Sequence, residues 1–253
     1  MLLQGKTMLV TGASAGIGRA AAIGAARHGA DVAINYLGDP TGANSAVAEI
    51  EAMGRRSIAI AGDVADAATA TDFVTRSTNY LGRIDVFLNN AGICPFHSFL
   101  DLPLETFERT MGVNLHGAFY MVQAAANAMV AQGTGGSIIA ISSISALVGG
   151  ELQTHYTPTK AGVHSLMQSA AIALGRHAIR CNSIMPGTIQ TDINRIDLAD
   201  PDKRAYMEKR IPLRRLGVPD DLVGPIVFLA SDMAAYVTGA ALLVDGGLFV
   251  NLQ

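Results

Sequence analysis

Three glycines set between a short apolar run and an alanine-rich stretch constrain this chain more than any other feature. Lys6–Thr11 (KTMLVT) has strand character, residues 11–18 read TGASAGIG, and Gly16–His28 carries helical spacing, closed by Gly29 as a C′ residue. A strand that turns through glycine into a helix offers free backbone N–H groups and the positive end of the helix dipole, which suits a phosphate. Gly12 permits the tight turn, Gly16 lets the backbone approach a pyrophosphate, and Gly18 lets helix and strand pack closely. The spacing is G-x-x-x-G-x-G and not the commoner G-x-G-x-x-G, but its place between strand and helix marks a dinucleotide loop.

The same alternation continues. Strands are expected at Asp31–Asn35, Ser57–Ala61, Ile84–Asn89, Ser137–Ser142, Ile179–Met185 and Ala241–Val244, with helices at Asn44–Met53 and Ala67–Leu81. Strands that alternate with helices form a parallel sheet covered on both faces. Their unbroken apolar character fits burial on both sides. With no internal repeat or linker, the expectation is α/β: one domain, residues 1–253, a Rossmann-like doubly wound parallel sheet of about seven strands. Ala and Gly make up much of a chain that is 50% hydrophobic and 15% charged. Such a chain suits close helix–sheet packing and extensive subunit contacts. Net charge is −3, which excludes a general attraction to nucleic acid or anionic membrane. No run of about 18 apolar residues appears, and the opening MLLQGKTMLVTG lacks the pattern of a leader, so a cytoplasmic protein with no membrane partner is expected. Cys94 and Cys181 form no metal-type pair, and no metal is expected.

Residues 193–216 concentrate charge, with seven basic residues beside Asp197, Asp200, Asp202 and Glu208. One or two short helices are expected there, either as a solvated face or as a mobile substrate lid near 190–216. Their position directly after a strand favours the lid.

Cofactor preference stays open. An acid at the end of the second strand would select NAD, yet that end reads Asn35-Tyr36, with no carboxylate before Asp39. A basic residue near position 15 would select NADP, and position 15 is Ala. Asp63 either binds the adenine amino group or caps the helix that follows.

Tyr156 and Lys160 share one helix face, a turn apart. A tyrosine has a pKa of about 10, and lowering it by about 3 units takes roughly 4 kcal/mol, which a neighbouring ammonium and a positively charged nicotinamide are expected to supply. Pro158 places the helix start near Thr154–Thr157, so Tyr156 sits at its mouth. Ser143 lies at a strand end, where ligands of parallel sheets bind.

With these motifs in hand, the sequence resembles the short-chain dehydrogenase/reductase family over nearly its whole length. The match rests on TGASAGIG at 11–18, NNAG at 89–92, Asn114 in GVNLHGAF, Ser143 in SSIS, YTPTK at 156–160 and MPGTIQT at 185–191. The resemblance implies a tetrad of Asn114, Ser143, Tyr156 and Lys160, in which Asn114 orients a water of the proton relay and Lys160 also binds the nicotinamide ribose. It implies nucleotide contacts from Gly12, Ser14, Gly16, Ile17 and Gly18, and from Asp63, Val64 and Ala91. Asn90 and Gly92 would line the adenosine side. Pro186, Gly187, Thr188, Ile189 and Thr191 would wrap the nicotinamide. It also implies a homotetramer, consistent with burial of the apolar tail 248–253 in a neighbouring subunit.

Ser145, Gln153, His155, Thr191 and Asn194 surround this constellation, and Cys94-Pro95-Phe96-His97 follows NNAG. Polar side chains around one site suit a polyhydroxylated ligand. GICPFHSFLDLP, SSISALVGGELQTHYTPTKAG and LLVDGGLFVNLQ are similar to the bacterial aldose 1-dehydrogenases that act on L-rhamnose. That resemblance implies oxidation of the anomeric C1 hydroxyl to a lactone, with Ser145, Gln153 and Asn194 on sugar hydroxyls. His97 and His155 either help select the sugar or are half-buried packing residues, and Cys94 reads as an inert buried thiol. The alternative is a 3-oxoacyl-(acyl carrier protein) reductase with a basic docking patch at 203–215. A non-catalytic nicotinamide sensor is a third reading, which the intact tetrad opposes.

Overall fold

The computed structural model describes residues 1–251. Leu252 and Gln253, part of the tail assigned above to a subunit contact, lie outside the described residues. Seven strands form one sheet: β1 Thr7–Val10, β2 Asp31–Tyr36, β3 Ser57–Ala61, β4 Val86–Asn89, β5 Gly136–Ile141, β6 Ile179–Pro186 and β7 Ala241–Val244. Their order is β3-β2-β1-β4-β5-β6-β7 and every pairing is parallel. The order reverses between β1 and β4, and the strand ends on either side of that point open a crevice for ligand.

Alternation along each strand feeds two cores. Met8 and Val10 point to one face and Leu9 to the other. The first face is covered by α1 (Gly16–Arg27), α2 (Thr41–Ala52) and α8 (Val223–Ala230). The second is covered by α3 (Ala67–Leu81), α5 (Gly117–Gln132) and α6 (Thr157–Leu174), which bring Phe73, Met121 and Val163 onto Phe87. Each such side chain, fully removed from water, contributes about 1.5–3 kcal/mol.

Three departures from the sequence reading have local causes. The second helix starts at Thr41 and not Asn44, because Asp39 Oδ1 accepts from both the N–H and the hydroxyl of Thr41. β4 starts at Val86 and not Ile84, because the amide of Gln132 takes up both the N–H and the carbonyl of Ile84. The longest helical stretch has no counterpart in that reading: α4 (Leu104–Met111) runs into α5 through a wide π turn at Gly112–His116. The reason is an almost evenly apolar α5, which lacks a sharp stripe.

After β6 come short 3₁₀ turns at Asp192–Asn194 and Asp197–Ala199 and then α7 (Pro201–Arg210), the charged insertion expected from the sequence. Leu248 packs inside its own chain against Ile211 and Leu216, so this part of the tail is not left for a neighbour. Among the described residues no helix is long and apolar enough to cross a membrane, and no three His, Cys, Asp or Glu residues cluster to hold a metal.

Candidate active site

The crevice is a cleft of about 900 Å³ over the strand ends, lined by every expected tetrad, nucleotide and sugar-contact residue except Gly18 and Asn114. Its floor begins at the glycine loop. Gly12 and Gly16 have φ of 62° and 55°, a region where a side chain is strained. A Cβ on Gly18 would lie 2.5 Å from the Gly12 carbonyl oxygen, so helix and loop touch backbone to backbone. Ala15, at the start of α1, caps nothing, and the first turn holds no acid. Its N–H groups are therefore open to an anion, and this cradle fits a dinucleotide. Thr191 lies directly over Gly16, so the 186–191 segment closes the loop from above. Gly18→Ala is expected to force the loop from the helix, raising the Kd for nucleotide by about tenfold or more. Isothermal titration calorimetry with NAD and NADP checks this.

NNAG is tied to that loop. Asn90 Nδ2 donates to the carbonyls of Thr11 (2.9 Å) and Gly12 (3.0 Å), and Thr11 Oγ1 accepts from the N–H groups of Asn90 (2.9 Å) and Ala91 (3.1 Å). Asn90 thus serves as a strut, its amide N–H groups given to backbone carbonyls, while the residue still lines the cleft. Gly92 lines the cleft as well. A Cβ there would meet Asn114 Oδ1 at 3.3 Å and Lys160 Nζ at 3.5 Å, which puts it beside the catalytic group.

At the adenosine end, Asp63 closes the turn before α3, whose own cap is Asp66. Oδ1 accepts from the Ala65 N–H (3.0 Å) as a turn cap, while the carboxylate lines the cleft and pairs with Arg109 (2.8 Å). Burial pushes its pKa up, but the bonds from Arg109 and Ala65 outweigh this and hold it below the ordinary carboxylate range. At the end of β2, Asn35 is buried and donates to the Gly62 carbonyl, Leu37 lines the cleft, and Asp39 is spent on Thr41. The strand end therefore presents no carboxylate to select against a 2′-phosphate.

The four tetrad residues converge. Ser142 Oγ donates to the Lys160 carbonyl (2.8 Å), which ties the end of β5 to the first turn of α6. Pro158 sits in that first turn and Tyr156 precedes it, as expected. The Tyr156 phenol is hydrogen-bonded to Ser143, whose Oγ also accepts from the Ser145 N–H (3.0 Å). Lys160 Nζ donates to the Ile141 carbonyl (2.9 Å) and lies 5.5 Å from the centre of the Tyr156 ring. The side chain of Asn114, in the π turn, is bonded at both ends. Oδ1 accepts from the Ile93 N–H, and Nδ2 donates to the Ile93 carbonyl and to Thr159 Oγ1. It joins the NNAG turn to α6.

The expected depression of the tyrosine pKa is not found. Burial raises it, proximity of Cys94 adds to this, and only the bond from Ser143 acts in the opposite direction. Lys160 is lowered to about 8, again chiefly by burial. Both groups sit out of water, and the ammonium is turned to a carbonyl, so desolvation outweighs their mutual effect.

Near the tyrosine, Ser145 Oγ donates to Gln153 Oε1 (3.4 Å), and Gln153 Nε2 donates to Cys94 Sγ (3.4 Å). Cys94 is a buried free thiol pushed up to about 11 by burial, consistent with the inert reading. Asn194 lines the cleft and braces the loop that carries it. Oδ1 accepts from the Thr191 N–H and Nδ2 donates to the Ile189 carbonyl, so the amide shapes its own loop. His155 is fully buried with neither ring nitrogen bonded, and neither it nor His97 lines the cleft. The sequence reading missed the apolar side of this cavity, formed by Phe96, Leu152, Leu198, Met207, Leu248 and Phe249. These residues come from four separate segments, which no spacing in the chain brings together.

Comparison with known proteins agrees with this geometry. A family model described as enoyl-(acyl carrier protein) reductase matches residues 12–249. An L-rhamnose 1-dehydrogenase (NAD(P)(+)) of Sphingomonas sp. (strain SKA58) is 73% identical over 252 residues, covering 100% of this chain and 99% of that protein. The enzyme of the same name from Azotobacter vinelandii is 62% identical and aligns over the full length of both chains. Among solved structures, a putative short-chain alcohol dehydrogenase from Sinorhizobium meliloti 1021 superposes with a TM-score of 0.95 at 35% identity, covering 99% of this chain and 98% of that one. The chain belongs to the short-chain dehydrogenase/reductase family.

Proposed function

We propose that this chain oxidises the anomeric C1 hydroxyl of an aldose, L-rhamnose, to the lactone with NAD or NADP. The observation that carries the reading is the 73% and 62% identity, end to end, to enzymes bearing that activity. The cleft supports it, with Ser145 and Gln153 beside Tyr156 and Ser143. When bound, the oxidised nicotinamide supplies the hydride acceptor. Ser143 holds the C1 hydroxyl against Tyr156, and the tyrosine oxygen takes its proton as the C1 hydrogen departs. The Lys160 ammonium steadies the phenolate through space. Gly12, Gly16 and Gly18 with the first turn of α1 hold the pyrophosphate, and residues 186–191 cover it. A β2 end without a carboxylate supports use of both nucleotides.

Initial rates over a panel of aldoses with NAD and with NADP test this. L-Rhamnose is expected to be turned over with both nucleotides and acetoacetyl thioesters not at all. Turnover of the thioesters alone would instead favour the acyl carrier protein reductase reading.

The α7 segment is assigned here as a lid, since Leu198, Lys203, Met207 and Arg210 all reach the cleft. A homotetramer in the cytoplasm completes the proposal. Exposed Phe119 beside the apolar groove of Leu115, Tyr120 and Leu166 supports subunit contact, and two free buried thiols support a reducing compartment. Light scattering is expected to return the tetramer mass.

A further inference from the structure

The hydrogen bonds of Ser145, Gln153 and Cys94 leave a defined remainder. A serine hydroxyl carries one hydrogen, and Ser145 donates it to Gln153 Oε1. Its lone pairs stay open to the cleft. A glutamine amide carries two N–H groups, and Gln153 directs one to Cys94 Sγ. Its second N–H stays open. This end of the cleft can therefore accept from a hydroxyl at Ser145 and donate to one at Gln153.

Two further residues decide where that amide lies. Cys94, in the loop after β4, is 7% exposed and gives the amide nitrogen its partner. Gly150 lies behind the amide oxygen. A Cβ on it would come within 2.4 Å of Gln153 Oε1 and 3.1 Å of the amide carbon. Gly150 does not have a positive φ, so alanine is compatible with its backbone there. The space left by the absent side chain is the seat of the amide.

We infer that Cys94 and Gly150 are positioning residues for sugar recognition, holding the Gln153 amide so that its free N–H meets a substrate hydroxyl. The inference rests on the aldose reading of the site. Neither residue touches the reacting atoms. Both act through Gln153, on the sugar and not on the nucleotide, because the amide lies at the Tyr156 end of the cleft, away from the glycine loop.

Steady-state kinetics of Cys94→Ala, Cys94→Ser and Gly150→Ala with L-rhamnose test this, each at saturating nucleotide and again at saturating sugar. Cys94→Ala and Gly150→Ala are each expected to raise the sugar KM about tenfold, the size of one aligned hydrogen bond, with kcat changed by less than about threefold. The KM for nucleotide is expected to stay at the wild-type value. Cys94→Ser keeps an acceptor at the position and is expected to restore most of the sugar KM. A wild-type sugar KM in both Cys94→Ala and Gly150→Ala overturns the inference. So does a serine variant no better than alanine, or a nucleotide KM that rises in parallel. Failure of the wild-type enzyme to oxidise any aldose would instead sink the functional reading on which the inference stands.

Discussion

Replacing Tyr156 by phenylalanine is expected to lower kcat/KM for sugar oxidation by about 10³-fold, the scale of a lost general base. The hydroxyl is the only atom removed, and the ring keeps its place at the head of α6. The Kd for nucleotide should therefore stay at the wild-type value by calorimetry. The rest of the effect lies in the pH profile. Burial and the neighbouring Cys94 hold the phenol above its ordinary value, and the bond to Ser143 only partly offsets them. The base form is therefore scarce at neutral pH, so wild-type oxidation is expected to quicken as pH rises. The residual rate of Tyr156→Phe should lose that dependence. A variant that kept both the rate and the alkaline rise would remove Tyr156 from the reaction.

Lys160→Met is expected to separate activity from stability. In the folded chain the ammonium is buried and its pKa falls from 10.5 to about 8, chiefly through loss of hydration. That shift corresponds to a cost of about 3 kcal/mol for holding the charge inside. The bond to the Ile141 carbonyl returns about 1 kcal/mol, so methionine of similar volume should stabilise by about 1–2 kcal/mol. For a chain of this length the melting temperature would rise by about 2–8 °C. The sign follows from the lowered pKa. Below pH about 8 both folded and unfolded chains carry the proton, and the cost is fully present. Between about 8 and 10.5 the folded chain releases its proton first, so the wild type gains stability and the gap to the variant closes. Turnover should fall at least about 100-fold below pH about 8, where the phenolate loses its nearby positive charge, and by less above it. Calorimetric melts across pH 6–10 beside rate measurements check both halves.

These effects differ in how far the sequence announces them. The glycine loop, the strand alternation and the pairing of Tyr156 with Lys160 four residues on are local patterns, and the structure places them as read. The helix start at Tyr156 was legible because Pro158 leaves few other choices. Three matters were not legible. The direction of the tyrosine shift depends on desolvation by distant segments, whereas spacing reveals only the nearest charge. The roles of Asn90, Asn114 and Asn194 depend on which backbone groups need a partner. Each amide turned out to brace a turn, through the carbonyls of Thr11 and Gly12, of Ile93, and of Ile189. His155 lies between Gln153 and Tyr156, yet it is fully buried and does not line the cleft, which nothing in the local sequence pattern signals.

The π turn between α4 and α5 sets a limit on the length of the chain. A wide turn holds one residue more than a regular helix of the same rise. Removing any one residue from Gly112–His116 would let the two helices join without a break. The flanking faces would keep their direction, but the widened turn that carries Asn114 would close, and Asn114, if it survived, would no longer reach both Ile93 and Thr159. A single-residue deletion here should therefore harm the enzyme more than most substitutions in the same five positions. A surplus residue, of the kind usually found in variable loops, is in this helix a fixed dimension of the catalytic site.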